Sequence, residues 1–183
     1  MAGIDEVGRG CIAGPVVAAI VVLDTNKSIS GLADSKKLTV KRRESLSEQI
    51  HEKSFAYSIG RAEASEIDRI NILQASLLAM KRAYAGLTIV PEWVMVDGRD
   101  YPDISCIGET VIQGDQKVPE ISAASILAKV ARDKEMIFLD SLYPGYDFLK
   151  HKGYPTKLHL QKLTQLGVTE IHRKSFGPIK IFF

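Results

Sequence analysis

GIDEVGRG, Gly3 to Gly10, runs into PVVAAIVVL, Pro15 to Leu23, and the architecture is read outward from these two segments. The second is β-branched and almost continuously apolar, the pattern of a strand buried on both faces. The first is short and apolar up to its acids, so it reads as a strand closed by a Gly-Arg-Gly turn. Turn chemistry at Asp24 to Lys27 and the spacing of the segments suit an antiparallel pair. Asp5 and Glu6 do not serve packing, because an ionised group on a half-buried strand is costly to desolvate. Neighbouring strand residues point to opposite faces, so the two acids share a site only if the strand ends there and Glu6 turns back or offers its carbonyl. Gly8 and Gly10 permit positive φ and close approach of backbone to a ligand, and Arg9 carries a phosphate-matching fork. Acids for a metal, with backbone and Arg for phosphate, suggest phosphodiester chemistry. A Gly-rich turn with a solvated acidic pair is the plainer alternative.

Farther along, Thr39 is placed to cap a helix running to about His51, Ser54 to Arg61 reads as a third strand, and Glu63 to Asp68 as a short helical turn. Ile72 to Ala85 has helical periodicity through Leu73, Leu77, Met80 and Tyr84. Trp93 to Val96 is an apolar strand ending on Asp97-Gly98, and Ser105 to Gln113 is another, followed by Gly114-Asp115. Ligands gather at the carboxyl edge of open α/β sheets, which makes Asp97 and Asp115 functional candidates; Asp-Gly is equally a turn signal. Pro119 to Leu142 reads as a long helix with Ala123, Ala124, Ile126, Leu127, Val130 and Ile137 inward and Asp133 in surface ion pairs. Gly145 to Gly153 is a loop, and Thr156 opens a last helix ending near Leu166. The expected fold is α/β: a mixed sheet flanked by helices, in one domain.

With 24 Lys and Arg against 22 Asp and Glu, net charge is only +2, so affinity for nucleic acid must come from local patches: residues 36–43 and the C-terminal third. Cys11 and Cys106 lack zinc-binding spacing. No signal peptide or bilayer-length apolar run is apparent, and the expected location is the cytoplasm. Four carboxylates converging at one sheet edge would repel unless a cation joined them. Their hard oxygens suit Mg²⁺ or Mn²⁺, in a two-ion arrangement for phosphodiester hydrolysis.

The ordered series GIDEVGRG, AGPVVAAIVV, DSKKLT, MVDG, QGD, ISAASILAKVARD, HKGYPTKLH and HRKSF resembles ribonuclease HII from residue 3 to about 178. The resemblance implies the RNase H-like fold, with a helical segment at about 143–183 contributing to substrate binding. It implies hydrolysis of the RNA strand of RNA–DNA hybrids and incision 5′ of single ribonucleotides in duplex DNA, leaving 3′-hydroxyl and 5′-phosphate ends. Arg9 fits this type better than ribonuclease HIII, which lacks that arginine and has a further N-terminal domain. On the family pattern Asp5, Glu6, Asp97 and Asp115 are the catalytic metal ligands. Gly8, Arg9 and Gly10 read the ribose 2′-hydroxyl through the backbone, and Tyr154 stacks on the following deoxynucleotide's sugar. Ser35, Lys36 and Lys37 match a phosphate-binding loop, while Ser125 and Lys129, one helical turn apart, face the substrate. His172, Arg173, Ser175 and Phe176 are expected to fasten the tail to the sheet, and His51 and His151 to lie on the surface. A monomer is expected. A sliding-clamp contact has no support beyond the apolar Ile181-Phe182-Phe183, which read as core packing. Another RNase H-like nuclease or strand-transfer enzyme, or a non-catalytic nucleic-acid-binding protein, remain as alternatives.

Overall fold

The computed structural model describes residues 1–32 and 38–183; Ser35, Lys36 and Lys37 lie outside the described residues. Strands β1 (Ala2–Val7), β2 (Val16–Val22), β3 (Ala56–Ala62), β4 (Val94–Asp97) and β5 (Gly108–Val111) form a sheet in the order β3-β2-β1-β4-β5. β1–β2 and β2–β3 pair antiparallel, β1–β4 and β4–β5 parallel, which makes the sheet mixed as expected. β2 is buried along its whole length, as its unbroken apolar run requires. β5 is shorter than its sequence suggests, because Ser105 to Ile107 and Ile112 to Gln113 fall outside the ladder.

Helices α1 (Val40–Lys53) and α3 (Pro119–Leu142) cover one face of the sheet; α2 (Ala64–Ala85) covers the other. Thr39 caps α1 as expected, its side chain accepting from the Arg42 amide. The two helical segments expected before and after residue 70 form one bent helix, α2. Its break is Asn71, with φ 67° and a side-chain oxygen that accepts from the Gln74 amide. With ψ 167° this is an uncommon backbone conformation for a residue other than glycine, and the Asn71 side chain restarts the helix by capping it. Of the expected Leu73, Leu77, Met80 and Tyr84, Met80 is buried and Leu77 and Tyr84 pack partly buried against the core, while Leu73 stays outside that cluster. The fully buried positions include Ala75, Ala79 and Ala83, which the pattern missed because the backbone at Ala79 and Ala83 lies directly on Gly60 of β3 and leaves room only for small side chains.

Ile137 of α3, expected inward, is 47% exposed, while Arg132 and Met136 are fully buried. Two short helices, α4 (Phe148–His151) and α6 (Gly177–Lys180), flank α5 (Lys157–Leu166) in the C-terminal segment. A third cluster of buried side chains, with Ile12, Met136, Tyr146, Phe148 and Leu163, joins this segment to α3 and to the loop after β1. Among the described residues no helix is long and apolar enough to cross a membrane.

Candidate active site

Sheet register brings the first acids together. Ile4 of β1 lies beside Val96 of β4, and the next residue on each of these parallel strands is an aspartate, Asp5 and Asp97. The side chains of Ile4 and Val96 enter the core under α2, so Asp5 and Asp97 turn to the α3 face. There the Ser125 hydroxyl of α3 hydrogen-bonds to Asp5. β1 ends at Val7, and the Glu6 amide donates to Asp5 Oδ1 at 2.7 Å. Arg9 Nη1 meets Glu6 Oε1 at 3.2 Å, which draws the Glu6 carboxylate toward the glycine turn.

Electrostatics bind these groups into one unit. Burial, then repulsion from Glu6 and Asp97, holds the Asp5 carboxyl well above the usual carboxylate range, against the Ser125 hydrogen bond. Burial likewise raises Glu6; Arg9 pulls the other way, and Asp97 adds to the rise. Three acids thus sense one another with one arginine between them. Asp97 Oδ1 accepts from the Gly114 amide at 2.7 Å, and the next residue, Asp115, is buried. Asp115 sits in a one-turn 3₁₀ helix (Gly114–Gln116) rather than at a strand end, in a cleft it shares with Ser122 of α3. Among the described residues no three acidic, imidazole or thiol side chains form a ready-made metal cage. The donor set nevertheless fits a hard divalent cation: all carboxylate, and mutually repelling.

The glycine turn is held from beneath. Gly8 has φ +96°, and a Cβ there would run into Arg132 Nε. Gly10 does not share that conformation, and its open side meets nothing within 4 Å, so it is the residue past which a ligand can approach the backbone. Arg132, on α3, donates to Pro15 O at 3.0 Å, Lys152 O at 2.8 Å and Ala13 O at 3.1 Å. Arg173 donates to Gly14 O at 2.9 and 3.0 Å and to Arg9 O at 3.0 Å, and burial lowers its guanidinium to about 10. Two buried guanidiniums therefore clamp the turn and the KGY segment through carbonyls alone.

Tyr154 follows Gly153, whose φ is +82°. The residue is 38% exposed, and burial, then the neighbouring Cys11, raises its hydroxyl above the usual tyrosine range. Lys129 is engaged by Asp133 at 2.7 Å, and Asp133 in turn by Arg43 at 3.6 Å, so Asp133 forms the ion pairs expected of it, half-buried. Tail residues do act as fasteners: Phe176 packs against the core formed by the sheet and α2, and the others reach beyond the sheet. Arg173 holds the loop after β1, while the Ser175 amide and hydroxyl bind Asp68 of α2 at 2.8 and 2.7 Å. His151 is buried rather than on the surface, because α4 tucks it against His159 with ring centroids 4.1 Å apart. Of the last residues, Phe182 packs partly buried against the C-terminal core cluster as expected, whereas Ile181 (80%) and Phe183 (76%) are exposed, which corrects the expectation of core packing for those two.

Sequence reasoning passed over Arg132 and Ser122. Arg132 continues the buried line of Ala124 and Ala128 toward Met136, so a charge at that phase of the helix was its signal.

The family model for ribonuclease HII matches residues 2–178. The ribonuclease H2 of Pyrococcus horikoshii OT3 superposes with a TM-score of 0.81 at 28% identity, over 99% of this chain and 95% of that one. The RNase HII of Archaeoglobus fulgidus, solved as a complex with PCNA, does so at 0.75 and 26%, over 96% and 94%. Bst-RNase HIII in complex with Mn²⁺ shares the fold at 0.75 and 19%, over 98% of this chain and 67% of that one.

Proposed function

The chain belongs to the ribonuclease HII family, metal-dependent hydrolases of the RNA strand in RNA–DNA hybrids, and from that premise we propose a finer activity: incision of duplex DNA on the 5′ side of a single embedded ribonucleotide. Asp5, Glu6, Asp97 and Asp115 hold two divalent cations, Mg²⁺ or Mn²⁺. When bound, these supply an activated water and stabilise the departing oxygen. Water adds to the phosphorus and the bond to the 3′ oxygen of the preceding deoxynucleotide breaks, leaving a 3′-hydroxyl and a 5′-phosphate.

The residues of the chain prepare that step. Ser125 orients Asp5, Arg9 holds Glu6 toward the turn, and the Gly114 amide fixes Asp97. The backbone at Gly8, Arg9 and Gly10 accepts from and donates to the 2′-hydroxyl, a group that DNA lacks. Tyr154, in the C-terminal segment, offers its exposed ring to the next sugar, where a second hydroxyl would not fit. Ser35, Lys36, Lys37 and Lys129 bind flanking phosphates. The observation that carries the reading is that Asp5 and Asp97 each follow the paired Ile4 and Val96 on adjacent parallel strands, with burial and repulsion from Glu6 and Asp97 holding the Asp5 carboxyl above its usual range.

As a partner we add a sliding clamp, touched through the exposed Ile181 and Phe183; the Archaeoglobus relative is seen with PCNA. The enzyme itself acts as a monomer.

Gel-resolved cleavage of a labelled duplex with one ribonucleotide tests the activity, in Mg²⁺, Mn²⁺ or chelator, beside all-DNA and hybrid duplexes. A metal-dependent cut 5′ of the lone ribonucleotide is expected. Cutting confined to the continuous hybrid would overturn the roles given to the glycine turn and Tyr154. Binding of both without cleavage would favour a non-catalytic protein.

A further inference from the structure

Behind Tyr154 lies a run of hydrogen bonds through two buried imidazoles. The Thr169 amide donates to His172 Nδ1 at 3.0 Å, His172 Nε2 meets His159 Nε2 at 3.1 Å, and His159 Nδ1 meets the Tyr154 carbonyl at 2.9 Å. Both ends of this run are fixed in sense. The Thr169 hydroxyl also lies 2.8 Å from His172 Nδ1 and could either donate or accept, but the amide on the same nitrogen can only donate, so His172 Nδ1 accepts and the hydroxyl donates to it; a backbone carbonyl only accepts, so His159 Nδ1 carries its proton there. A neutral imidazole has one donor and one acceptor. The remaining nitrogens are then a donor on His172 and an acceptor on His159, and these are the two that meet. The arrangement closes without a conflict only when both rings are neutral, and the nest of Phe148, Tyr146 and His151 around them favours that state.

The run also joins the two elements assigned to reading the substrate. His172 bridges Ala13, and the flanking bonds Gly14 N to Ile171 O (2.9 Å) and Arg173 N to Ile12 O (2.8 Å) sew the tail to the loop that follows the glycine turn. At the other end, Tyr154 O accepts from the Thr156 amide (2.8 Å) as well as from His159, and the Tyr154 amide donates to His151 O (2.9 Å). Tyr154 is thus placed by its backbone, and the exposed ring inherits that placement.

We infer that His159 and His172 are positioning residues for ribonucleotide selection: as a neutral, one-directional pair they fix Tyr154 relative to the Gly8–Gly10 turn. This rests on the role proposed for Tyr154. Neither imidazole touches the substrate.

Two amides at position 159 separate this from a purely structural role. An asparagine amide reaches the place of the imidazole Nδ1, and so donates to Tyr154 O. A glutamine amide reaches the place of Nε2, and so meets His172 but not Tyr154. The readout is the ratio of kcat/KM on a duplex with one ribonucleotide to kcat/KM on a continuous hybrid, measured well below each variant's Tm. His159→Asn retains the ratio within about twofold, and His159→Gln lowers it about three- to tenfold, the scale of one hydrogen bond to a positioned group. His159→Gln added to Tyr154→Ala lowers it no further. Equal ratios for the two amides, or a further loss on the Tyr154→Ala background, would overturn the inference while leaving the role of Tyr154 standing. An unchanged ratio in Tyr154→Ala alone would remove that role and the inference with it. On the wild-type protein, ¹⁵N-resolved NMR of the imidazoles is expected to show His159 protonated at Nδ1 and His172 at Nε2; the reverse tautomers would also overturn it.

Discussion

Arg132→Lys keeps the charge and most of the length of a fully buried side chain but removes its fork. The guanidinium spreads three hydrogen bonds over carbonyls from two separate segments: Ala13 and Pro15 after the glycine turn, and Lys152 before Tyr154. A lysine ammonium is a point donor on a flexible stem and reaches one of these carbonyls well. Two buried acceptors are left unpaired at about 1–3 kcal/mol each, of which the relaxation of a smaller, more mobile head returns a part, for a net loss of about 2–4 kcal/mol. For a chain of this size that corresponds to roughly 4–16 °C in Tm. Urea denaturation of wild type and Arg132→Lys, with the m-value as a check on compactness, measures the loss directly. The single-ribonucleotide assay should lose activity as well, since both tethered loops carry residues proposed to read the substrate. A midpoint within about 0.5 kcal/mol of wild type would refute the reasoning, because any cation would then serve where a fork has been claimed.

Asp5→Asn should abolish cleavage with hybrid binding largely intact. Because the folded-state pKa of Asp5 is raised, its carboxyl favours folding at low pH and opposes it as pH rises through that value; at pH 7 without metal the variant should be more stable than wild type in a thermal melt. Added Mg²⁺ should raise the wild-type Tm and not the variant's, and an unresponsive wild type would remove the acids as a cation site. Gly8→Ala forces a Cβ into Arg132 Nε at a left-handed φ, and should cost about 2 kcal/mol or more in denaturant titration; a neutral result would mean the turn is free to move. Burial lowers His159 and His172 to about 4, so their contribution is full above the unfolded value of about 6.5 and is lost as pH falls toward 4. One such imidazole is worth on the order of 2–3 kcal/mol between pH 7 and pH 4.5. His159→Asn should therefore lose less stability than wild type over that interval, and equal losses would place the acid sensitivity elsewhere.

What could be read from the chain, and what could not, divides by the range of the interaction. β2 is legible because a strand buried on both faces must be apolar throughout, and Asp97 because an acid closing such a run has few structural uses. Even the break in α2 shows as a change of pattern near residue 70, since Asn71 makes it locally, through its own φ and its own cap on Gln74. By contrast, the sense of Glu6 depends on Arg9 and on where β1 stops, which the period-two rule alone leaves open. Arg132 belongs to the same class: a polar residue among apolar neighbours reads as exposed until its partners are known, and its own lie up to 119 residues away.

That division bears on how the site works. The acids, legible from the strand ends, form a buried cluster whose members repel one another, with Arg9 bonded to Glu6 among the described residues. The illegible residues supply what the cluster lacks, which is rigidity rather than charge. Arg132 and Arg173 satisfy backbone carbonyls of the loops, and the two imidazoles fix a tyrosine through its backbone. A substrate-reading turn built from glycines has little conformational preference of its own. Its shape has to be imposed, and in this fold it is imposed by buried polar side chains whose donors are committed to main-chain oxygens. Substitutions at Arg132, His159 or Arg173 should therefore alter which duplex is cut before they alter whether phosphodiester hydrolysis occurs, whereas substitutions at Asp5 or Asp97 should do the opposite. Rates on the single-ribonucleotide and continuous-hybrid duplexes, taken side by side for both groups of variants, distinguish the two behaviours. A parallel fall on both substrates in the first group would mean that the loops and the acids are one rigid unit after all.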